Sequence, residues 1–195
     1  MKPKELVVVI LFSFFALNSF AQPQSSRFSF EINSGPSIAN KDLGGADLNV
    51  GAGFEGIFHY RLMPHVSAHL GWGWNKFSAD QSFAGSNMDF EETGYIFGLQ
   101  FKHPFKPNSI AWFVRASGLY NHIEIENTDG DIIEDTGHGL GLQFAGGLDI
   151  PLNSKWSFTP SLKLNSLSRD LDTGDTERNL NLNYDCLRLG FSIKF

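Results

Sequence analysis

Cysteine is almost missing: Cys186 stands alone in 195 residues, so an intramolecular disulfide framework is excluded and stability must come from burial or backbone pairing. Basic residues are also scarce. Fifteen Lys and Arg against 21 Asp and Glu give a net charge of −6, which makes nucleic acid an unfavourable partner. The apolar run at residues 6–17 falls short of the roughly 20 residues that a spanning helix needs. From Arg27 onward no 3.6-residue apolar stripe recurs, so an amphipathic helical fold is not indicated.

What is present begins with Lys2 and Lys4, the short apolar run, and the small residues Ser19 and Ala21 around Phe20. That order reads as a secretory signal peptide over residues 1–21, cleaved before Gln22. Its removal makes the chain one charge more acidic than −6, and residues 22–195 suffice for one domain. No Cys follows the cut, so lipoprotein processing is not indicated. Gly (20) and Phe (19) are abundant while the mean hydropathy is −0.15, a combination that suits alternating strands better than a large dry core.

Period-two alternation recurs in eight segments separated by polar or Pro-containing breaks, which predicts an all-β fold. Phe28, Phe30, Ile32 and Ile38 oppose Ser29, Glu31, Asn33 and Gly35; Leu48, Val50, Ala52, Phe54, Phe58 and Tyr60 oppose Asn49, Gly51, Gly53, Glu55 and His59. Leu70, Trp72 and Trp74 oppose His69, Gly71 and Gly73, and Tyr95, Phe97, Leu99 and Phe101 oppose Gly94, Gly98, Gln100 and Lys102. Trp112, Val114, Ala116 and Tyr120 oppose Arg115, Ser117 and Asn121; Leu140, Leu142, Phe144, Leu148 and Ile150 oppose Gly141, Gln143, Ala145 and Asp149. Trp156, Phe158, Leu162 and Leu164 oppose Ser157, Thr159, Lys163 and Asn165. In the eighth segment Leu180, Leu182 and Tyr184 are out of phase with Leu187, Leu189 and Phe191, which predicts a bulge near Asp185 that returns both sets to one face. Pro36 and Pro160 each remove a ladder donor, so bulges or the non-bonded side of the ladder are expected there.

Short breaks holding Pro64, then Pro104 and Pro107, then Pro151 alternate with longer polar ones at 40–47, 78–89, 126–138 and 169–179. This is the rhythm of an up-and-down meander with tight turns at one rim and loops at the other. The face opposite the apolar one decides its surroundings. It is mainly Gly, Ser, Asn and Gln with sparse charge, a poor coat for water but a suitable hydrogen-bonded lumen. The expectation is therefore an eight-stranded antiparallel transmembrane β-barrel, the closed form in which strands satisfy every backbone group inside lipid. Trp72, Trp74, Tyr95, Trp112, Tyr120 and Trp156 fall where aromatic girdles sit.

The chain ends Arg188-Leu189-Gly190-Phe191-Ser192-Ile193-Lys194-Phe195, which resembles the carboxy-terminal assembly signal of outer-membrane barrels through Gly190, Ile193 and Phe195, with Ile193 departing from the preferred aromatic. With the Gly-rich phrases at 48–54 and 140–148, residues 22–195 resemble the outer-membrane β-barrel domain proteins, the small eight-stranded porin-like or opacity-type barrels. The Phe20-Ala21-Gln22 junction is similar to cleavage sites common in Bacteroidetes exports. The resemblance implies the outer membrane as location, lipid or lipopolysaccharide as surroundings, and the barrel-assembly machinery as a partner of the last strand. It carries no active-site motif, cofactor or metal.

An eight-stranded interior is filled by side chains, so an open channel is not expected. Glu31, Glu55 and Asp149 are expected to pair with some of Arg115, Lys163 and Arg188 across it, because unpaired charge there is costly. The functional expectation is a non-enzymatic membrane anchor whose loops meet surface ligands. One alternative is a lipid acyl hydrolase or transferase, using His59, His69, Glu55 and Ser67. Another is a soluble periplasmic barrel carrying an apolar ligand. The acidic loop at 124–138 is a solvated stretch or a divalent-cation bridge, without the Gly at position six of an EF-hand; Asp170, Asp172, Asp175 and Glu177 make a second. Phe77, Phe83, Met88 and Phe90 suggest a lid or an adhesive tip.

Overall fold

A computed structural model describes residues 26–107, 109–172 and 177–195; the signal-peptide expectation for 1–21 and Asp175 lie outside the described residues. The strands are β1 (Phe28–Ala39), β2 (Gly51–Met63), β3 (Val66–Ser82), β4 (Gly85–Pro104), β5 (Ala111–Glu126), β6 (Ile132–Asp135), β7 (Gly139–Pro151), β8 (Trp156–Phe158), β9 (Ser161–Asp172) and β10 (Glu177–Lys194). Eight staves form the ring, because β8 and β9 are two pieces of one stave and β6 is an extra strand paired to β5 above it. Each stave pairs antiparallel with its chain neighbours, and β1 closes on β10 from Ser29 opposite Lys194 to Ala39 opposite Tyr184. Both described ends lie at the rim of tight turns.

The apolar face points outward. Phe54, Leu70, Phe97, Leu142 and Leu162 are 39, 61, 43, 57 and 64% exposed, whereas Glu55 and Lys163 on the opposite face are 2% and 0% exposed. A water-soluble barrel would have these two sets exchanged. On β7, residues 140–150 cover about 25 Å of height at about 3.3 Å per residue and about 40° of tilt, the height of a membrane barrel's apolar band. Its upper edge carries the cross-strand row Trp72, Tyr95, Tyr120. Its lower edge carries Phe28 against Tyr60, ring centroids 5.1 Å apart, and Phe101 against Trp112 at 5.4 Å.

Above the upper aromatic row the alternation continues but inverts. Phe77, Ala79, Phe90, Ile123, Ile125, Leu167, Leu171, Leu180, Leu182 and Tyr184 point inward as a dry cluster, while Ser78, Asp80, Ser168, Asp170, Asn181 and Asp185 face out. The physical reason is the change of solvent: outside the barrel lies lipid below the row and water above it, so the apolar side swaps faces. This corrects the bulge expected near Asp185, since β10 keeps one unbroken register with β9 from Glu177 to Arg188. It also corrects the loops expected at 78–89 and 169–179: β3 and β4 run on to a tight turn at Phe83 and Ala84, and β9 and β10 remain paired out to Asp172 and Glu177.

Neither proline makes a bulge. The register of β1 on β2 is continuous through Pro36. At Pro160 the registers of β8 and β9 agree on both neighbours, and Leu148 N donates to Pro160 O at 3.0 Å. Pro160 thus sits on the bonded side facing β7 and costs the stave one ladder bond.

Candidate functional site

The lumen of the lower half is where polar chemistry concentrates. Alternation on β1, β2, β5 and β9 turns Glu31, Glu55, Arg115 and Lys163 to one another across the barrel. Arg115 spans the hollow to make a forked ion pair with Glu31, Nη1 to Oε1 at 3.1 Å, while its Nε donates to Gln100 at 2.7 Å and its guanidinium lies 4.4 Å over the Phe113 ring. Lys163 pairs with Glu55 and donates to Asn33 at 3.2 Å; Asn33 in turn donates to Glu31 at 3.1 Å. Gln143 donates to the other Glu55 oxygen at 2.9 Å and to Asn165 at 3.0 Å. The two ion pairs are therefore joined into one hydrogen-bonded layer, which is how buried charge is held at tolerable cost.

The other expected members stand apart from that layer. Asp149 pairs with Lys102 at 2.8 Å close to the turn rim. Arg188 meets no carboxylate among the described residues; it donates to Ser37 Oγ at 2.9 Å, Pro36 O at 3.1 Å, Gly35 O and Asn75 Oδ1. Sequence reasoning misses Glu92, which is 1% exposed and accepts from Asn75 at 2.8 Å, from the Tyr184 hydroxyl at 2.8 Å and from Asn121. Its signal is the inward phase shared with Gly94 and Gln100, continued two residues further up β4. Arg169 escapes it as well; this residue caps the carbonyls of Asn121 at 2.8 Å and Leu140 at 2.9 Å.

His59 and His69 face each other from β2 and β3 as expected, ring centroids 5.6 Å apart, but the remaining parts of a nucleophilic site do not join them. His69 Nε2 bonds Ser117 Oγ at 2.9 Å, whereas Ser67 lies at the turn rim, and the His69 Nδ1 has no hydrogen-bond partner among the described residues. Glu55, the expected acid, is occupied by Lys163 and Gln143. His69 and Ser117 are both 5% exposed.

Free space follows the same plan. A cavity of about 850 Å³ opens at the turn rim among Arg27, Arg61, His65, Lys102, Asp149 and Lys194. A separate pocket of only about 10 Å³ lies beside Glu31, His59, Gln100 and Arg115. Above this lie the Glu92 layer and the dry cluster, into which the first loop folds Leu43 and Ala46, both 0% exposed and bridged to each other. Phe77 and Phe90 belong to this plug, so they form a lid within the barrel wall and no exposed tip.

Outside, just above the aromatic row, Lys76 holds Asp89, Glu91 and Glu126 at 3.1, 2.9 and 2.8 Å, and Trp74 Nε1 donates to Glu91 at 2.7 Å. Partial burial works against the Lys76 charge, but the three carboxylates outweigh it and raise the ammonium pKa above the ordinary range. Burial likewise works against the Glu91 charge, and the Trp74 and Lys76 donors outweigh it and lower the carboxyl pKa.

At the carboxy end, Gly190 faces inward where a Cβ would stand 2.6 Å from Thr159 Oγ1. Phe195 N donates to Phe28 O at 3.0 Å, and its ring stacks on Phe28 at 6.3 Å, so the last residue fastens the seam of the ring. Ile193 lies in the same seam, opposite Phe30.

Comparison with known proteins agrees with this architecture. A family model described as outer membrane protein beta-barrel domain matches residues 7–195. No curated protein matches the chain. Among solved structures, Neisserial surface protein A superposes with a TM-score of 0.64 at 14% identity, covering 87% of this chain and 98% of that one. OprG of Pseudomonas aeruginosa gives 0.58 at 15% identity over 87% and 97%, and outer membrane protein W of E. coli gives 0.52 at 12% over 89% and 100%.

Proposed function

Because the chain belongs to the outer membrane protein beta-barrel domain family, we propose that it is a non-enzymatic barrel that anchors in the outer membrane by its apolar wall and presents its long-loop rim to the cell exterior. The protein resides in the outer membrane. The observation that carries the non-conducting, anchoring reading is the double closure of the lumen: the Glu31, Arg115, Glu55, Lys163 layer below and the Leu43, Phe77, Phe90, Leu180 cluster above. The interior of an eight-stranded barrel is narrow enough for side chains to fill it. An acyl-transfer role is disfavoured by the burial of His69 and Ser117 and the engagement of Glu55 with Lys163.

Outer-membrane lipid and lipopolysaccharide are the partners that the apolar band and the belt around Lys76 support, and the barrel-assembly machinery is the partner we assign to the segment holding Gly190, Ile193 and Phe195. An unidentified surface ligand of the loops completes the reading. The test is electrical. The purified barrel reconstituted in a planar lipid bilayer should give no steady single-channel conductance at moderate voltage. A reproducible open level in the unmodified protein would show that the lumen conducts and would overturn the anchor reading.

A further inference from the structure

Strand β5 carries His122 and Glu124 on its outward face just above the aromatic row, and β6 lays Asp135 directly opposite Glu124. The segment joining them is ordered by its own hydrogen bonds. Asn127 Oδ1 accepts from the Asp129 and Asp131 amides, each at 2.9 Å, and Ile123 N donates to Thr136 Oγ1 at 2.9 Å. Asp135 Oδ1 accepts from Gly137 N at 2.8 Å, and Gly137 turns at a φ of +67° to bring His138 back over His122, ring centroids 4.3 Å apart and planes within 14°. Three ligand types from two strands are thereby held together before any ion arrives.

We infer that His122, Glu124 and Asp135 form a divalent transition-metal site of the zinc class on the outer rim of the barrel. The spacing carries it. His122 Nδ1 stands 3.0 Å from Asp135 Oδ1 and 3.7 Å from Glu124 Oε1, and the three ligand atoms all lie within 4.8 Å of one another. Metal bonds of about 2.0–2.1 Å in a tetrahedron place ligand atoms about 3.3 Å apart, so the observed separations straddle the required one. One imidazole nitrogen with two carboxylates suits zinc and its first-row neighbours better than calcium or magnesium, which take oxygen ligands alone.

Charge points the same way. Among the described residues, the only ion-pair partner of Glu124 and Asp135 is His122, while the nearby Lys76 is committed to Asp89, Glu91 and Glu126. A dication neutralises the two carboxylates, and His122 as a neutral ligand adds no charge. The side chains of His122, Glu124 and Asp135 are 12, 21 and 47% exposed, so an ion reaches them from solvent and the fourth position stays open to water or an outside donor. Stacking by His138 fixes the orientation of the His122 ring that ligation needs.

The experiment uses the whole barrel without an affinity tag, refolded in detergent, stripped with chelator and titrated with zinc chloride by calorimetry. One equivalent should bind. His122→Ala and Asp135→Asn should each weaken binding at least about tenfold, with Glu124→Gln as a second route should either variant fail to fold. A control variant, His65→Ala with His103→Ala, removes another close imidazole pair, whose rings are 4.8 Å apart at the turn rim, and should leave binding unchanged. No saturable zinc uptake, uptake that survives in folded His122→Ala, or uptake abolished in the control variant would each overturn the site.

Discussion

Lys163 illustrates what a single side chain does in this interior. Its ammonium is 0% exposed and is satisfied by Glu55 and Asn33, so removing it leaves the Glu55 carboxylate buried with only Gln143 as a donor. An uncompensated buried charge costs about 3–5 kcal/mol, whereas replacing both partners by apolar groups is close to neutral. Lys163→Met is therefore expected to lower the unfolding free energy in denaturant by about 3–5 kcal/mol, and Lys163→Met with Glu55→Met to recover most of that loss. A double-mutant cycle in detergent or lipid checks this; a single variant as stable as the native protein would mean that the layer does not hold the barrel together. Glu92 and Arg188 show the limit of pairing charges by sign from sequence. Glu92 accepts from Asn75, Asn121 and Tyr184, and Arg188 donates to two backbone carbonyls, the Ser37 hydroxyl and the Asn75 amide oxygen, and neutral partners of this kind leave no charge pattern to read.

Strand positions and their lower-half faces are legible in the sequence because a bilayer enforces period two: outward residues there suit lipid, and Ser34 among them ties its hydroxyl to Gly53 O at 3.0 Å. The phase of the upper half is not, since the same alternation changes meaning once water replaces lipid outside. Leu180, Leu182 and Tyr184 therefore read as a second lipid-facing set brought round by a bulge, although they point into the barrel. The lengths of β3 and β4 escape the sequence for the same reason, because residues such as Ser78, Asp80 and Asp89 look like loop when their inward neighbours Phe77, Ala79 and Phe90 are not expected to be buried. Curvature of the staves depends on residues without side chains. At Gly98 a Cβ would stand 2.2 Å from Ala116 O, so β4 and β5 approach too closely for any other residue, while at outward-facing Gly146 the nearest atom is 3.9 Å away. Gly98→Ala should cost about 1–3 kcal/mol through forced backbone shifts, and Gly146→Ala should be close to neutral or slightly favourable. Thermal unfolding of the two variants side by side tests the close approach: equal midpoints would remove the argument.

The whole molecule is a cylinder closed twice by different physics. The lower closure is polar and directional, built from two ion pairs and the amides that link them, and it gives way where its partners are removed. The upper closure is apolar and collective, so losing one side chain leaves the rest of the cluster in contact. Two barriers in series behave unlike one: conduction requires both to open. Replacing Glu31 and Arg115 together with Ser removes one of the two ion pairs of the lower layer without stranding a charge on either, yet current should remain absent because Phe77, Phe90, Ile123 and the inserted Leu43 still exclude water. Replacing Phe77 and Phe90 with Ser alone should also leave the barrel closed, since Arg115 on Glu31 and Lys163 on Glu55 still cross the lumen. All four changes together still leave Lys163 on Glu55 and Glu92 on Asn75, Asn121 and Tyr184 across the lumen, so a planar bilayer should show no steady conductance even then. Current from either pair by itself would show that one closure is already leaky in the native protein, and the anchoring role would then rest on a single seal.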